Sequence, residues 1–169
     1  MNKLSILRTL IDFTFYISCL TVLVLVLFVP IAALGYANEL PIKMNGQSTF
    51  INNWQSKLML VFVLISSLFF IYSIYLLRKT IVFFAKRDIF NSEVIQNFNI
   101  IGICVITSSL LLIIPSFFYQ AVEESSLEIS IQSGFDSPIL IISLGLFFMV
   151  LSEVFQKAKN LKEENDLTL

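Results

Sequence analysis

The chain has 169 residues, of which 57% are hydrophobic and only 14% charged, and its mean hydropathy is +0.86. Soluble domains run at about 45–50% apolar and about 25% charged, so this composition excludes an ordinary water-soluble globule. A net charge of -1 excludes a global pull toward nucleic acid, and the absence of histidine removes the usual general base and the commonest metal ligand.

A helix needs about 20 apolar residues to cross a hydrocarbon core about 30 Å thick. The first such run is Phe13 to Leu34. Its basic start and the small residues around Ala33 and Gly35 also suit a cleavable signal peptide. The apolar run is about twice as long as that class requires, so it reads as a span. The segment 35–57 then forms an outer loop. Within it Asn45-Gly46 sits between Leu40–Met44 and Gln47–Ile51, the strongest short hairpin signal, because both turn positions need positive φ.

The second span is Leu58 to Leu77. No breaker follows in Arg78–Ala85, so helix is expected to continue beyond the span. Asn91 is the right residue type to cap a third helix, and Glu93 adds negative charge to its first turn. From Ser92, Val94, Ile95 and Phe98 form an apolar stripe at helical spacing, with Glu93, Gln96, Asn97 and Asn99 read as a polar face. Residues 78–99 are thus a polar helical hairpin, and the third span is Ile100 to Tyr119.

In the loop 120–137, Leu127, Ile129 and Ile131 alternate with polar residues, a strand period. Together with the first loop this predicts a small extracytoplasmic β cap, since three strands hold together where two alone are marginal. Asp136 or Ser137 caps the fourth helix, with Pro138 at its first position. That span, Pro138 to about Phe155, is the shortest, and a tail of residues 156–169 follows.

Basic residues set the orientation. Lys3, Arg8, Arg78, Lys79, Lys86, Arg87, Lys157, Lys159 and Lys162 fall on one side, leaving only Lys43 and Lys57 of the 11 for the other. The fold class read from the sequence is therefore an all-α integral membrane protein. It is a four-transmembrane-helix bundle in an inner membrane, with both termini cytoplasmic and an extracytoplasmic β cap.

No Asp, Glu, Lys or Arg lies mid-span, which argues against a proton-coupled transporter or a charged-ring channel. Thr14, Ser18 and Thr21 share a helix face, as do Ser66 with Ser73, Gly102 with Ser109, and Gly145 with Ser152. These read as helix–helix packing positions. Cys19 and Cys104 lie in apolar runs and read as free, buried thiols. No catalytic set, phosphate loop, cofactor site or metal site is found.

The cytosolic side is the candidate partner surface. The tail is acidic at Glu163, Glu164 and Asp166 and carries Leu167 and Leu169, facing a loop with Lys86, Arg87, Phe90, Asn91 and Glu93. Opposite charges attract within about 8 Å at physiological salt, and burial of the two leucines would supply most of the stability. The tail is expected to pack on the hairpin, and a partner to dock there.

The loop Phe90-Asn91-Ser92-Glu93 and the closing Glu163-Glu164-Asn165-Asp166-Leu167-Thr168-Leu169 resemble the uncharacterised bacterial membrane proteins grouped as domain-of-unknown-function family 2975. The resemblance covers nearly the whole chain. It departs before Phe90, where Arg87-Asp88-Ile89 stands in place of a Gly-Pro pattern, and after it, where Asn97 and Asn99 replace basic residues. It implies four spans, no enzyme activity and no cofactor. By association it implies a cytosolic helix-turn-helix regulator of the Xre type as partner.

The expected function is a non-enzymatic binding or regulatory membrane protein, with the lipid bilayer as surroundings and no direct nucleic-acid contact. The alternatives are an accessory or structural subunit that packs on another membrane protein or on a second copy, and, third, a small-molecule exporter or pore.

Overall fold

The computed structural model describes residues 3–34, 39–44, 47–50, 54–86, 88–123 and 137–167. In chain order these form α1 (Lys3–Ala33), β1 (Glu39–Met44), β2 (Gln47–Phe50), α2 (Trp54–Ala85), α3 (Ser92–Glu123) and α4 (Pro138–Leu167). All four helices are long and apolar enough to cross a membrane.

At about 1.5 Å per residue each helix is about 45 Å long, well beyond the hydrocarbon core. Each therefore outruns the span read from hydropathy. α1 starts at Lys3 rather than Phe13, and α4 continues to Leu167 rather than yielding to a separate tail. The flanking stretches 3–12, 78–85, 92–99 and 156–167 contain no Gly or Pro. A helix satisfies its own backbone in lipid and in water alike, so nothing stops it at the interface. Beyond the span, α4 is supported by pairs one turn apart: Gln156 Nε2 donates to Asn160 Oδ1 at 2.9 Å, and Lys159 pairs with Glu163 at 3.8 Å.

Two predicted helix starts are found in place. Asn91 caps α3: its Oδ1 accepts from the Glu93 amide at 2.9 Å, and its carbonyl accepts from the Val94 amide at 3.0 Å. The carbonyl of Ser137 accepts from the Leu140 amide at 3.0 Å, which puts Pro138 at the first helical position of α4, where its missing N–H costs nothing.

β1 and β2 pair antiparallel, with Met44 opposite Gln47 and Lys43 opposite Ser48, the register that a two-residue Asn-Gly link demands. The ladder shifts between Glu39 and Lys43, where Pro41 lacks an amide to donate. Of the expected cap built from both outer loops, the described part is this two-stranded sheet from the first loop. The segment 127–132 that was to supply its third strand lies outside the described residues.

Successive helices run antiparallel. Asp12 meets Arg78, and Ala32 meets Leu60, across α1 and α2. Lys79 meets Glu93, and Ser66 meets Ser108, across α2 and α3. Ser152 meets Ile95 across α3 and α4. One end of the molecule thus gathers Lys3, Arg8, Arg78, Lys79, Lys86, Lys157, Lys159 and Lys162. This is the basic end; the other, with β1 and β2, is the sheet end.

Within the four-helix arrangement, α3 packs between α2 and α4, and α1 packs chiefly on α2. Small and hydroxyl residues explain this order. Ser66, Ser73, Gly102, Ser109, Gly145 and Ser152 are all buried, as expected of packing positions. Ser66 Oγ donates to the Ser108 carbonyl at 2.9 Å, and Ser152 Oγ to the Ile95 carbonyl at 2.7 Å. A Cβ added at Gly102 would lie 2.5 Å from the Gly145 carbonyl oxygen, so the α3 and α4 backbones approach as only glycines allow. The hydroxyl face of α1 behaves otherwise. Thr14 and Thr21 are exposed and donate to carbonyls of their own helix, those of Leu10 and Ile17, at 3.0 Å each. Satisfied in this way, they need no neighbour.

Candidate functional site: the basic end

The basic end is built on a cluster of phenylalanines. Phe84 of α2, Phe90 of the connection, Phe98 of α3, and Phe148 and Phe155 of α4 converge. Phe98 stacks between Phe148 at 6.0 Å and Phe155 at 5.7 Å. Phe84 stands edge-on to Phe98 and Phe155, and Phe90 edge-on to Phe155 at 6.4 Å. Offset and edge-on pairs of this kind add about 0.5–1.5 kcal/mol each beyond area burial. Leu76, Val94, Ile101 and Val105 complete the core beneath them.

Ion pairs tie the same end together. Lys79 of α2 pairs with Glu93 of α3. Arg78 pairs with Asp12 of α1 at 2.5 Å, off the direction of a well-aligned hydrogen bond, and its guanidinium lies over the rings of Phe15 at 5.5 Å and Tyr16 at 5.8 Å. Both pairs are partly exposed, which limits such contacts to about 0–1 kcal/mol. Asn91 Nδ2 also donates to Asp88 Oδ2 at 2.8 Å, stiffening the connection before α3.

The predicted partner residues fall into three groups. Phe90, Asn91 and Glu93 are brought together, half-buried, at the start of α3. Lys86 is exposed nearby, whereas Arg87 and Leu169 lie outside the described residues. Glu163, Glu164 and Asp166 are all exposed on the last turns of α4, and Leu167 closes the helix. No described ion pair joins these acids to Lys86. The contact from α4 back to the connection is made by Phe155 and by Lys162, whose ammonium lies 5.7 Å from the Phe90 ring centre. A cation over a ring, rather than carboxylates on lysines, links the end of α4 to the connection.

Sequence reasoning missed three features. The pairing of Asp12 with Arg78 was not read, although antiparallel neighbours bring an early acid on one helix to a late base on the next. Phe148 and Phe155, two turns apart, signalled an aromatic face that the Phe84 and Phe98 positions could meet. Asn97, read as part of a wet polar face, is only 5% exposed, and its Nδ2 has no hydrogen-bond partner among the described residues.

The family described as "Protein of unknown function (DUF2975)" matches residues 39–169, from β1 through α4. No curated protein and no solved structure matches the chain.

Proposed function

We propose, from the premise that this chain belongs to the DUF2975 family, that it is a non-enzymatic membrane protein whose basic end binds a cytosolic partner. The observation that carries this reading is the form of α4. The helix leaves the aromatic cluster at Phe155, is fixed by Lys162 on Phe90, and presents Glu163, Glu164 and Asp166 exposed on a regular helix. Carboxylates held on a rigid support suit a basic protein surface better than a catalytic task, since no nucleophile–base pair or phosphate cradle accompanies them among the described residues. The DNA-binding face of a small helix-turn-helix regulator, the partner that the family resemblance implies, is such a surface, and the acids would compete there with DNA phosphates.

The location belongs to the same proposal. Gathering eight of the basic residues at one end supports a cytoplasmic setting for that end and for both termini, in a bacterial inner membrane. An impermeant maleimide should leave a cysteine introduced at Lys86 unlabelled in intact cells and label it in inverted vesicles.

Affinity capture with the full-length protein tests the partner. A DNA-binding protein should be retained by the native chain, displaced by duplex DNA, and lost on combined Glu163→Lys, Glu164→Lys and Asp166→Lys substitution. Retention unchanged by the triple reversal would overturn the reading. The accessory-subunit alternative draws on the outer face of α4, where Phe147, Val150 and Val154 are exposed. It is favoured if capture yields membrane proteins that depend on those residues.

A further inference from the structure

α1 buries Ile11, Leu25 and Ala32, and its Phe15 reaches Tyr75 of α2 at 6.4 Å. Its opposite face repeats every seven residues. Written as a heptad, the a positions are Leu10, Ile17, Val24 and Ile31, and the d positions are Ile6, Phe13, Leu20 and Leu27. All of them are between 47% and 65% exposed. The charges of Arg8 and Asp12 fall at f and c, off this seam. Thr14 and Thr21 fall at e, with their hydroxyls bonded to their own helix. Lys3, at the next a position outward, opens the helix in water, where salt screens two facing ammoniums.

Three physical points identify what covers the seam. A strict seven-residue repeat drifts around a straight helix and stays on one line only in a left-handed supercoil with a second helix. Its residue types are those of a two-stranded parallel coil: β-branched Ile17, Val24 and Ile31 at a, with Leu20 and Leu27 at d. The b positions facing the body, Ile11, Ser18, Leu25 and Ala32, follow no such rule. Second, lipid does not cover the whole seam. At 1.5 Å per residue, Ile6 stands about 10 Å beyond Phe13, where the apolar run begins, and headgroups extend only about 5–8 Å past the hydrocarbon. Third, the area suffices. The seam side chains expose roughly 900 Å² per copy, and covering two-thirds of that in two copies buries about 1,200 Å², the lower bound for a stable specific interface.

We propose that the outer face of α1 is a dimer interface, in which α1 of one chain pairs in parallel with α1 of a second copy. Copies inserted with the same orientation meet in parallel, as the heptad requires. Within the hydrocarbon the seam gains from interdigitated packing, and at Ile6 and Leu10 it gains from leaving water. The interface is separate from the acidic end of α4 and does not depend on the proposed partner.

Disulfide crosslinking of the full-length protein in bilayers tests the seam, in a background of Cys19→Ala and Cys104→Ala. Val26 is 48% exposed but falls at c, so Val26→Cys reports random collision. Leu20→Cys and Leu27→Cys should give crosslinked dimer about fivefold above Val26→Cys. Energy transfer between donor- and acceptor-labelled copies in vesicles measures the affinity. Combined Leu20→Ala and Leu27→Ala should weaken association about tenfold. Unfolding in dilute mixed micelles, with one chain per micelle, should be unchanged by the same pair, which shows that the variant folds. Equal crosslinking at Leu20, Leu27 and Val26 means collision only and overturns the proposal. Absence of crosslinking at all three overturns it too, as does energy transfer unaffected by the double substitution.

Discussion

α1 and α3 are apolar helices of similar length that stand at opposite extremes of burial. In its apolar window α1 is 11% buried, whereas α3 is 39% buried, although α1 is the more apolar of the two. In water the order would be reversed. In lipid a leucine gains nothing by leaving the solvent, because the solvent is hydrocarbon too. What draws α3 inward is its stock of small and polar residues: Asn97, Gly102, Ser108 and Ser109 all lie inside. Burial in this protein follows close backbone approach and hydroxyl partners rather than apolarity.

The largest expected break in that comparison comes from Gly102→Leu. Its Cβ alone would sit 2.5 Å from both the Gly145 carbonyl oxygen and Met149 Cγ, so α4 must move away. Overpacking of this kind costs about 1–3 kcal/mol, and a backbone obstacle places it at the upper end. Unfolding of the purified protein in mixed micelles should shift accordingly. Leu20→Ala on the exposed face of α1 should leave the same curve within error.

A smaller effect is expected from Ser66→Ala, which removes a buried bond between α2 and α3. Such bonds within membranes contribute about 0.6 kcal/mol on average, up to about 1.7. Thr21→Val on α1, where the hydroxyl bonds only its own helix, should cost close to nothing. Asn97→Leu sharpens the comparison in the other direction. Its unpartnered buried Nδ2 carries a desolvation penalty, and replacing it with an apolar group of similar shape should be neutral to stabilising by about 1 kcal/mol. A clear loss of stability would mean that the amide has a partner in the membrane.

The smallest effect on global stability is expected from Asp12→Asn. It removes the charge opposite Arg78, a partly exposed pair, so about 0–1 kcal/mol is at stake. Its consequence is local: α1 should become easier to crosslink to other chains through a cysteine placed on its outer face, while the aromatic cluster is untouched.

Much of this was legible in the sequence, and the parts that were not share a cause. Asn91 and Pro138 announced their helix starts because capping chemistry is local. Asn45-Gly46 announced the β1–β2 register for the same reason. The packing stripes of α2, α3 and α4 were visible as small residues at helical spacing. The similar stripe Thr14, Ser18 and Thr21 misled, since sequence cannot show whether a hydroxyl bonds across to a neighbour or back to its own turn. The spans read for α1 and α4 do not give the helix ends, because hydropathy reports where lipid stops, not where helix does. At the basic end, Phe90 and Glu93 were singled out, but Phe155 and Lys162 were not. Their role depends on α3 lying between α2 and α4, an order that no local pattern states.

The account rests on α2, α3 and α4 forming the packed body while α1 is held to it along one side. A protease site inserted between Ala33 and Glu39 allows the chain to be cut after purification, with every helix already inserted. The account predicts that the cut protein unfolds within a few degrees of the intact one. It also predicts that the α1 fragment dissociates from 39–169 more readily when Asp12→Asn is present, by up to about fivefold. Collapse of the remaining helices on cutting, or an α1 fragment held as tightly in that background as in the native one, would contradict it.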